Sequence, residues 1–187
     1  MPSTRDVITS LYGAWRLAHL DRGGLAFFDS SPPGVRRSFF AAALVAPFFA
    51  LMLTAGAPEA GRTHSIRYAV VEAIAYVVTW TAYPVLIEWL SRFLGCRERF
   101  ERYLVAYNWS MVLQNAAVLP IGILAGFGVL PHELAQLMWL IVFVLVLAYL
   151  SFVARAGLEV SAVTAAGLVV VDVLLSALID GVAGGMY

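Results

Sequence analysis

The sequence predicts an all-α, polytopic membrane helix bundle, with five transmembrane helices preceded by an N-terminal amphipathic helix. Three observations predict it. Of 187 residues, 61% are hydrophobic and only 13% charged, with a mean hydropathy of +0.84, against roughly 45–50% apolar and about 25% charged in soluble domains. Apolar runs of about 20 residues, the length needed to cross a hydrocarbon core about 30 Å thick at about 1.5 Å per residue, recur along the chain. Lipid also leaves backbone polar groups unsatisfied unless the segment bonds internally, which makes each such run a helix.

The chain divides into a cytoplasmic, interfacial segment, residues 1–34, and a transmembrane domain, residues 35–187. In the first, Val7, Ile8, Leu11, Tyr12, Trp15 and Ala18 recur at helical spacing opposite Asp6, Thr9, Ser10 and Arg16, with Leu17 and Leu20 on the polar side. Ser3 and Asp6 form a loose capping box, and Gly23-Gly24 is expected to end the helix. Such a helix suits the inner leaflet and a protein contact equally well. It is no signal peptide, because an apolar run of sufficient length begins only after Arg37, so no cleavage is expected. Asp29-Ser30-Ser31-Pro32-Pro33-Gly34 reads as a turn into the first span, with Ser31 as N-cap and Pro32 at the first helical position.

The expected spans are 38–57, 68–90, 103–130, 134–154 and 160–181. Between Arg102 and Arg155 the only formal charge is Glu133, beside Pro131 and His132, and it divides one long apolar run into two spans. Pro131 suits the first turn of the fourth span. The alternative for this region is a pair of re-entrant segments around Pro120. Pro47, Pro84 and Pro120 fall inside spans, where each is expected to kink its helix. All 12 basic residues are arginine, a bias that fits a GC-rich bacterial genome. Ten fall in the N-terminal segment and the loops after spans two and four, against Arg62 and Arg67 on the other side. Basic residues resist translocation, so the expected place is a bacterial inner membrane with the N-terminus cytoplasmic and the C-terminus outside.

Ionisable and amide side chains are costly inside a bilayer and therefore mark candidate sites. Span five aligns Asp172, Ser176 and Asp180 at intervals of four; span three aligns Asn108 and Asn115; span two aligns Glu72, Tyr76, Thr79 and Tyr83. The candidate cluster is thus Asp172, Asn115, Asn108, Thr79, Glu72 and Ser176, with Asp172 expected to face the interior and bond Asn115 or a neighbour on spans two and three. Its readings are interhelical hydrogen bonding, an ion or proton relay, or binding of a lipid or other ligand. Gly122 and Gly126 form a small-residue seam that suits internal packing or a homo-oligomer. Arg16, Arg97, Arg99 and Arg102 are candidate contacts for a partner or lipid headgroups, although the alternating signs of 97–102 also read as a solvated, self-paired loop.

Zero formal net charge excludes a general basic field for nucleic acid, and the single Cys96 excludes an internal disulfide or paired-cysteine metal site. His19, His64 and His132 belong to no metal motif, and no nucleotide-binding or nucleophile motif is present. No enzyme, cofactor or metal is expected.

A cytoplasmic segment containing Phe27-Phe28-Asp29-Ser30-Ser31-Pro32-Pro33-Gly34, then five closely spaced spans and almost no tail, resembles the Yip1-like superfamily of small membrane proteins, its bacterial members above all. The resemblance covers about residues 25–187. The Asp-Leu-Tyr-Gly-Pro type of motif of eukaryotic relatives is absent, so vesicle traffic is not implied and no catalytic residues carry over. The expected function is that of a non-enzymatic scaffold, accessory subunit or assembly factor whose partners are the bilayer and other membrane proteins. The alternative is a small transporter or channel built around Asp172.

Overall fold

A computed structural model describes residues 1–55 and 66–186 of the chain. Gly56, Ala57, Arg62, His64 and Tyr187, on which some of the expectations above fall, lie outside the described residues. Among the described residues every regular element is helical. The amphipathic helix is α1 (Thr4–Ala18); a 3₁₀ segment (Arg22–Phe27) follows, then α2 (Pro32–Ser38) and α3 (Phe40–Ala55). Then come α4 (Ile66–Phe93), a short 3₁₀ turn (Arg97–Arg99), α5 (Phe100–Gly126), α6 (His132–Leu158) and α7 (Ala162–Gly184). Five helical segments, α2 with α3 and then α4, α5, α6 and α7, are long and apolar enough to cross a membrane. The protein is a multi-pass membrane protein.

Local chemistry sets most of the ends. Ser3 caps α1 by accepting from the Asp6 N–H while Asp6 accepts from Ser3, so the capping box is complete. Ser31 caps α2 ahead of Pro32, and Ser161 caps α7. The helix α1 stops at Ala18, before Gly23-Gly24, because the chain reverses at Leu20 in a left-handed conformation (φ 60°). The third span ends at Gly126, short of residue 130, and the chain turns through Gly128 at φ 69°. Pro131 is the N-cap of α6 rather than its first residue, so the helix begins at His132. The prolines are absorbed within continuous helices, and α5 runs through Pro120 with no re-entrant break.

The central helix is α5, which touches α1, α2, α3, α4 and α6, while α7 lies against α4 and α6. Its N-terminal part is nearly all buried, from Tyr103 through Ser110. Trp80 and Trp109 fill the core, whereas Trp89 and Trp139 remain on the surface.

The packing of α1 divides the expected apolar face: Val7 and Leu11 pack against the core, while the rest stays outside. Ser10, Gly13, Ala14 and Leu17 point into the bundle, while Ile8, Tyr12 and Trp15 are 62%, 51% and 55% exposed. On this face the 3₁₀ segment also comes close: a Cβ on Gly24 would stand 2.5 Å from the Gly13 carbonyl oxygen, so backbone meets backbone only because both residues lack side chains.

Candidate functional site

The two turns of α5 that carry Tyr103 and Tyr107 place both rings on one face, towards Tyr83 of α4 and Asp172 of α7. Asp172 is 7% exposed and faces the interior, as the sequence predicts. Its partner is a neighbour on the third span, as expected, but is Tyr107 rather than Asn115. The Tyr107 hydroxyl donates to both carboxyl oxygens of Asp172, each at 3.0 Å. Asn115, two turns further along α5, instead donates to the Met111 carbonyl of its own helix. Beside this pair the Tyr83 and Tyr103 hydroxyls lie 2.8 Å apart, and the Tyr107 ring is tilted against both tyrosines at centroid distances of 4.7 and 5.9 Å. The result is a core cluster of three tyrosines and one carboxyl group joining α4, α5 and α7.

The other predicted cluster members are not gathered there. Asn108 is fully buried, but on another face, where its Nδ2 donates to Ser38 Oγ at 2.8 Å and its Oδ1 has no partner. Ser38 in turn donates to the Val35 carbonyl, so this pair pins the start of span one to α5. Thr79, Glu72 and Ser176 are half-buried on α4 and α7. The expected single cluster therefore resolves into separate pairings on different faces of α5. A second such pairing, which the sequence reading misses, is made by Tyr149 of α6, whose hydroxyl donates to the Ala14 carbonyl at 2.9 Å and lies 2.8 Å from Ser110 Oγ. Tyrosine spacing at 103 and 107 was the available signal for the core cluster; nothing local marks Tyr149 or Ser38.

Small residues sort in the same way. Gly122 is an internal seam, because a Cβ there would meet Met52 Sδ at 3.2 Å and stand 3.7 Å from the Trp139 ring. Gly126 is exposed at the end of α5. A close contact between α5 and α6 falls at Gly157, where a Cβ would stand 3.0–3.1 Å from Tyr103.

The four candidate contact arginines are all engaged within the chain. Arg16 pairs with Asp21 and lies over the Phe27 ring. Arg97 reaches Glu88 at 3.2 Å and Glu101 at 2.8 Å. Arg99 reaches Glu159 at 3.0 Å, and Arg102 reaches Glu159 at 2.7 Å and the Gly157 carbonyl at 2.8 Å. The 97–102 run is thus only partly self-paired; its main partners are Glu88 and Glu159, acids of neighbouring helix ends. Arg102 also satisfies a carbonyl left open at the C-terminus of α6. These ion pairs hold the Glu159 carboxyl below its ordinary range, Arg102 having the largest effect.

Among the described residues no group of three or more histidine, cysteine or acidic side chains could hold a metal ion. Comparison with protein-family models, with curated proteins and with solved structures finds no match.

Proposed function

We propose that the chain is a non-enzymatic integral membrane protein that accompanies or organises other membrane proteins, and that it meets them through the outward face of α1. The observation that carries this reading is the exposure of Ile8, Tyr12 and Trp15 on a helix whose opposite face is locked into the bundle. They lie at positions i, i+4 and i+7, the spacing with which a helix fills a groove, and aromatic anchors on a rigid element contribute most to such contacts. The intramembrane polar groups support the same reading, because Asp172, Asn108 and Ser110 are spent on joining helices. Openings between spans, such as those of α4 with α3 and with α7, are lined mainly by apolar side chains.

In this reading the protein sits in a bacterial inner membrane with the N-terminus cytoplasmic and the C-terminus outside, on the strength of its arginine distribution. It belongs beside the Yip1-like superfamily in layout, its partners are lipid and other membrane proteins, and it uses no cofactor. A second copy is not needed to fill the Gly122 seam, which Met52 and Trp139 already occupy.

The test is extraction of the tagged protein from its native membrane in a mild detergent. A stoichiometric companion that is lost in Ile8→Asp/Trp15→Ser, with the bundle monodisperse and its thermal midpoint unchanged, is the expected result. A protein that emerges alone, or a companion that the double variant retains, overturns the proposal. A transporter or channel around Asp172 is the second reading, favoured by the cost of burying a carboxyl group in a span. It requires a flux in proteoliposomes that Asp172→Asn abolishes without unfolding.

A further inference from the structure

Arg36 and Arg5 differ from the arginines at the helix junctions, since neither forms an ion pair among the described residues. Arg36 is exposed at the end of α2. With Arg37, Pro2, Pro33 and Phe40 it lines an open cleft of about 570 Å³ between the start of the chain and the α2–α3 junction. An adjoining cavity of about 260 Å³ shares Pro2 and Arg37 with the cleft and adds Arg5, Thr9, Ser10 and Ser38. Asp6 and Asp29 line that second cavity but are both directed at Arg37. Among the described residues no acid lines the larger cleft, and Arg36 has no acidic partner there.

Beyond Arg36 the helix continues into the membrane. Phe39, which separates α2 from α3, keeps right-handed helical angles (φ −66°, ψ −11°), so helical spacing carries across the junction. Arg36, Phe40, Leu44, Phe48 and Leu51 therefore share a face. Phe40 and Leu44 are half-buried, and Phe48 and Leu51 are 58% and 45% exposed. An unpaired guanidinium thus stands at the polar end of an apolar stripe on a membrane span. That combination fits a ligand with an anionic head and long apolar tails. A free phosphate would use the arginine alone, and an acidic peptide would leave the stripe uncovered.

We propose that this cleft binds the phosphodiester headgroup of an anionic phospholipid, with Arg36 as the charge that selects it and the Phe40–Leu51 stripe as the track for its acyl chains. Arg37, held between Asp6 and Asp29, shapes the wall. Guanidinium presents planar, paired donors that match phosphate oxygens, which makes Arg36 a better anchor than a point charge.

The experiment is a lipid titration of the delipidated full chain in a neutral detergent, read by native mass spectrometry. The probes are phosphatidylglycerol and phosphatidylcholine of the same chain length, with glycerol 3-phosphate as soluble competitor. The expected result is tighter binding of phosphatidylglycerol and a loss of about fivefold in that preference in Arg36→Gln, the effect of one surface arginine on an anionic lipid. Arg155→Gln, an exposed arginine on α6, keeps the preference, as does Arg36→Lys in larger part, and glycerol 3-phosphate does not compete. Equal binding of the two lipids, a preference that survives Arg36→Gln, or an equal loss in Arg155→Gln overturns the site. Full competition by glycerol 3-phosphate also overturns it, in favour of a free-anion site.

Discussion

Tyr107 donates one hydroxyl hydrogen to both oxygens of Asp172, and this bond ties α5 to α7 in the core. The pair predicts a specific order of variants. Asp172→Asn keeps an acceptor for Tyr107 and removes a carboxyl group that is costly to bury, so its thermal midpoint in detergent stays level or rises. Asp172→Ala leaves the Tyr107 hydroxyl buried without a partner and costs about 1–3 kcal/mol. Adding Tyr107→Phe to Asp172→Ala recovers part of that loss, since both polar groups are then gone. A double-mutant cycle with no coupling would show that the bond contributes nothing.

The bond from Tyr149 to the Ala14 carbonyl links α6 to α1 across most of the chain. Removing the hydroxyl in Tyr149→Phe costs about 1 kcal/mol, and the loss falls on α1 before it reaches the spans. Hydrogen exchange should show faster opening of residues 4–18 with protection of α5 and α6 unchanged.

Gly13 and Gly24 predict a steric result. Alanine at either position puts a methyl group against backbone of the other, and neither backbone can rotate away. Each substitution costs about 1–3 kcal/mol and loosens the 3₁₀ segment from α1. Gly167→Ala, a helical position of α7 with open space around it, is the control and gains up to about 1 kcal/mol from helix propensity. Thermal unfolding of the three variants separates packing from propensity.

Glu159 closes α6 in the left-handed region at φ 56°, a conformation that favours glycine, because its carboxylate bridges Arg99 and Arg102. Its carboxyl sits below the ordinary glutamate value of 4.5 in the folded protein. A depressed folded value means that the ion pairs stabilise fully above the unfolded value and fade as the pH falls through the folded one. The α5–α6–α7 junction should therefore loosen below about pH 4.5, and sooner at high salt. Glu159→Gln removes this part of the acid dependence; an unchanged pH profile of unfolding in that variant would rule the mechanism out.

How much of this was legible in the sequence depends on which forces the sequence displays. The five spans were, because a run of about 20 apolar residues has one stable form in lipid, and the caps at Ser3 and Ser31 were, because each is a local hydrogen bond. The burial of Asp172 was legible too, since a carboxyl group facing lipid is far more costly than one facing a partner. Its pairing with Tyr107 rather than Asn115 was not. The relative height of two helices depends on how their surfaces interlock, and spacing within each helix says nothing of it.

The sequence by itself determined the number of membrane-crossing helices and where the charged segments lie between them. Tertiary structure alone decided which faces meet. Among helices that are apolar on every side, lipid and core are chemically alike, so hydrophobic patterning points neither way, and small residues and interhelical hydrogen bonds choose the contacts. In α1, which is amphipathic and lies outside the spans, close backbone approach at Gly13 likewise set the packed face, and Ile8 and Trp15 were left outside. In the same way, the folded positions of Glu88 and Glu159 engaged Arg97, Arg99 and Arg102, and left Arg36 without an acidic partner among the described residues at the edge of the membrane domain.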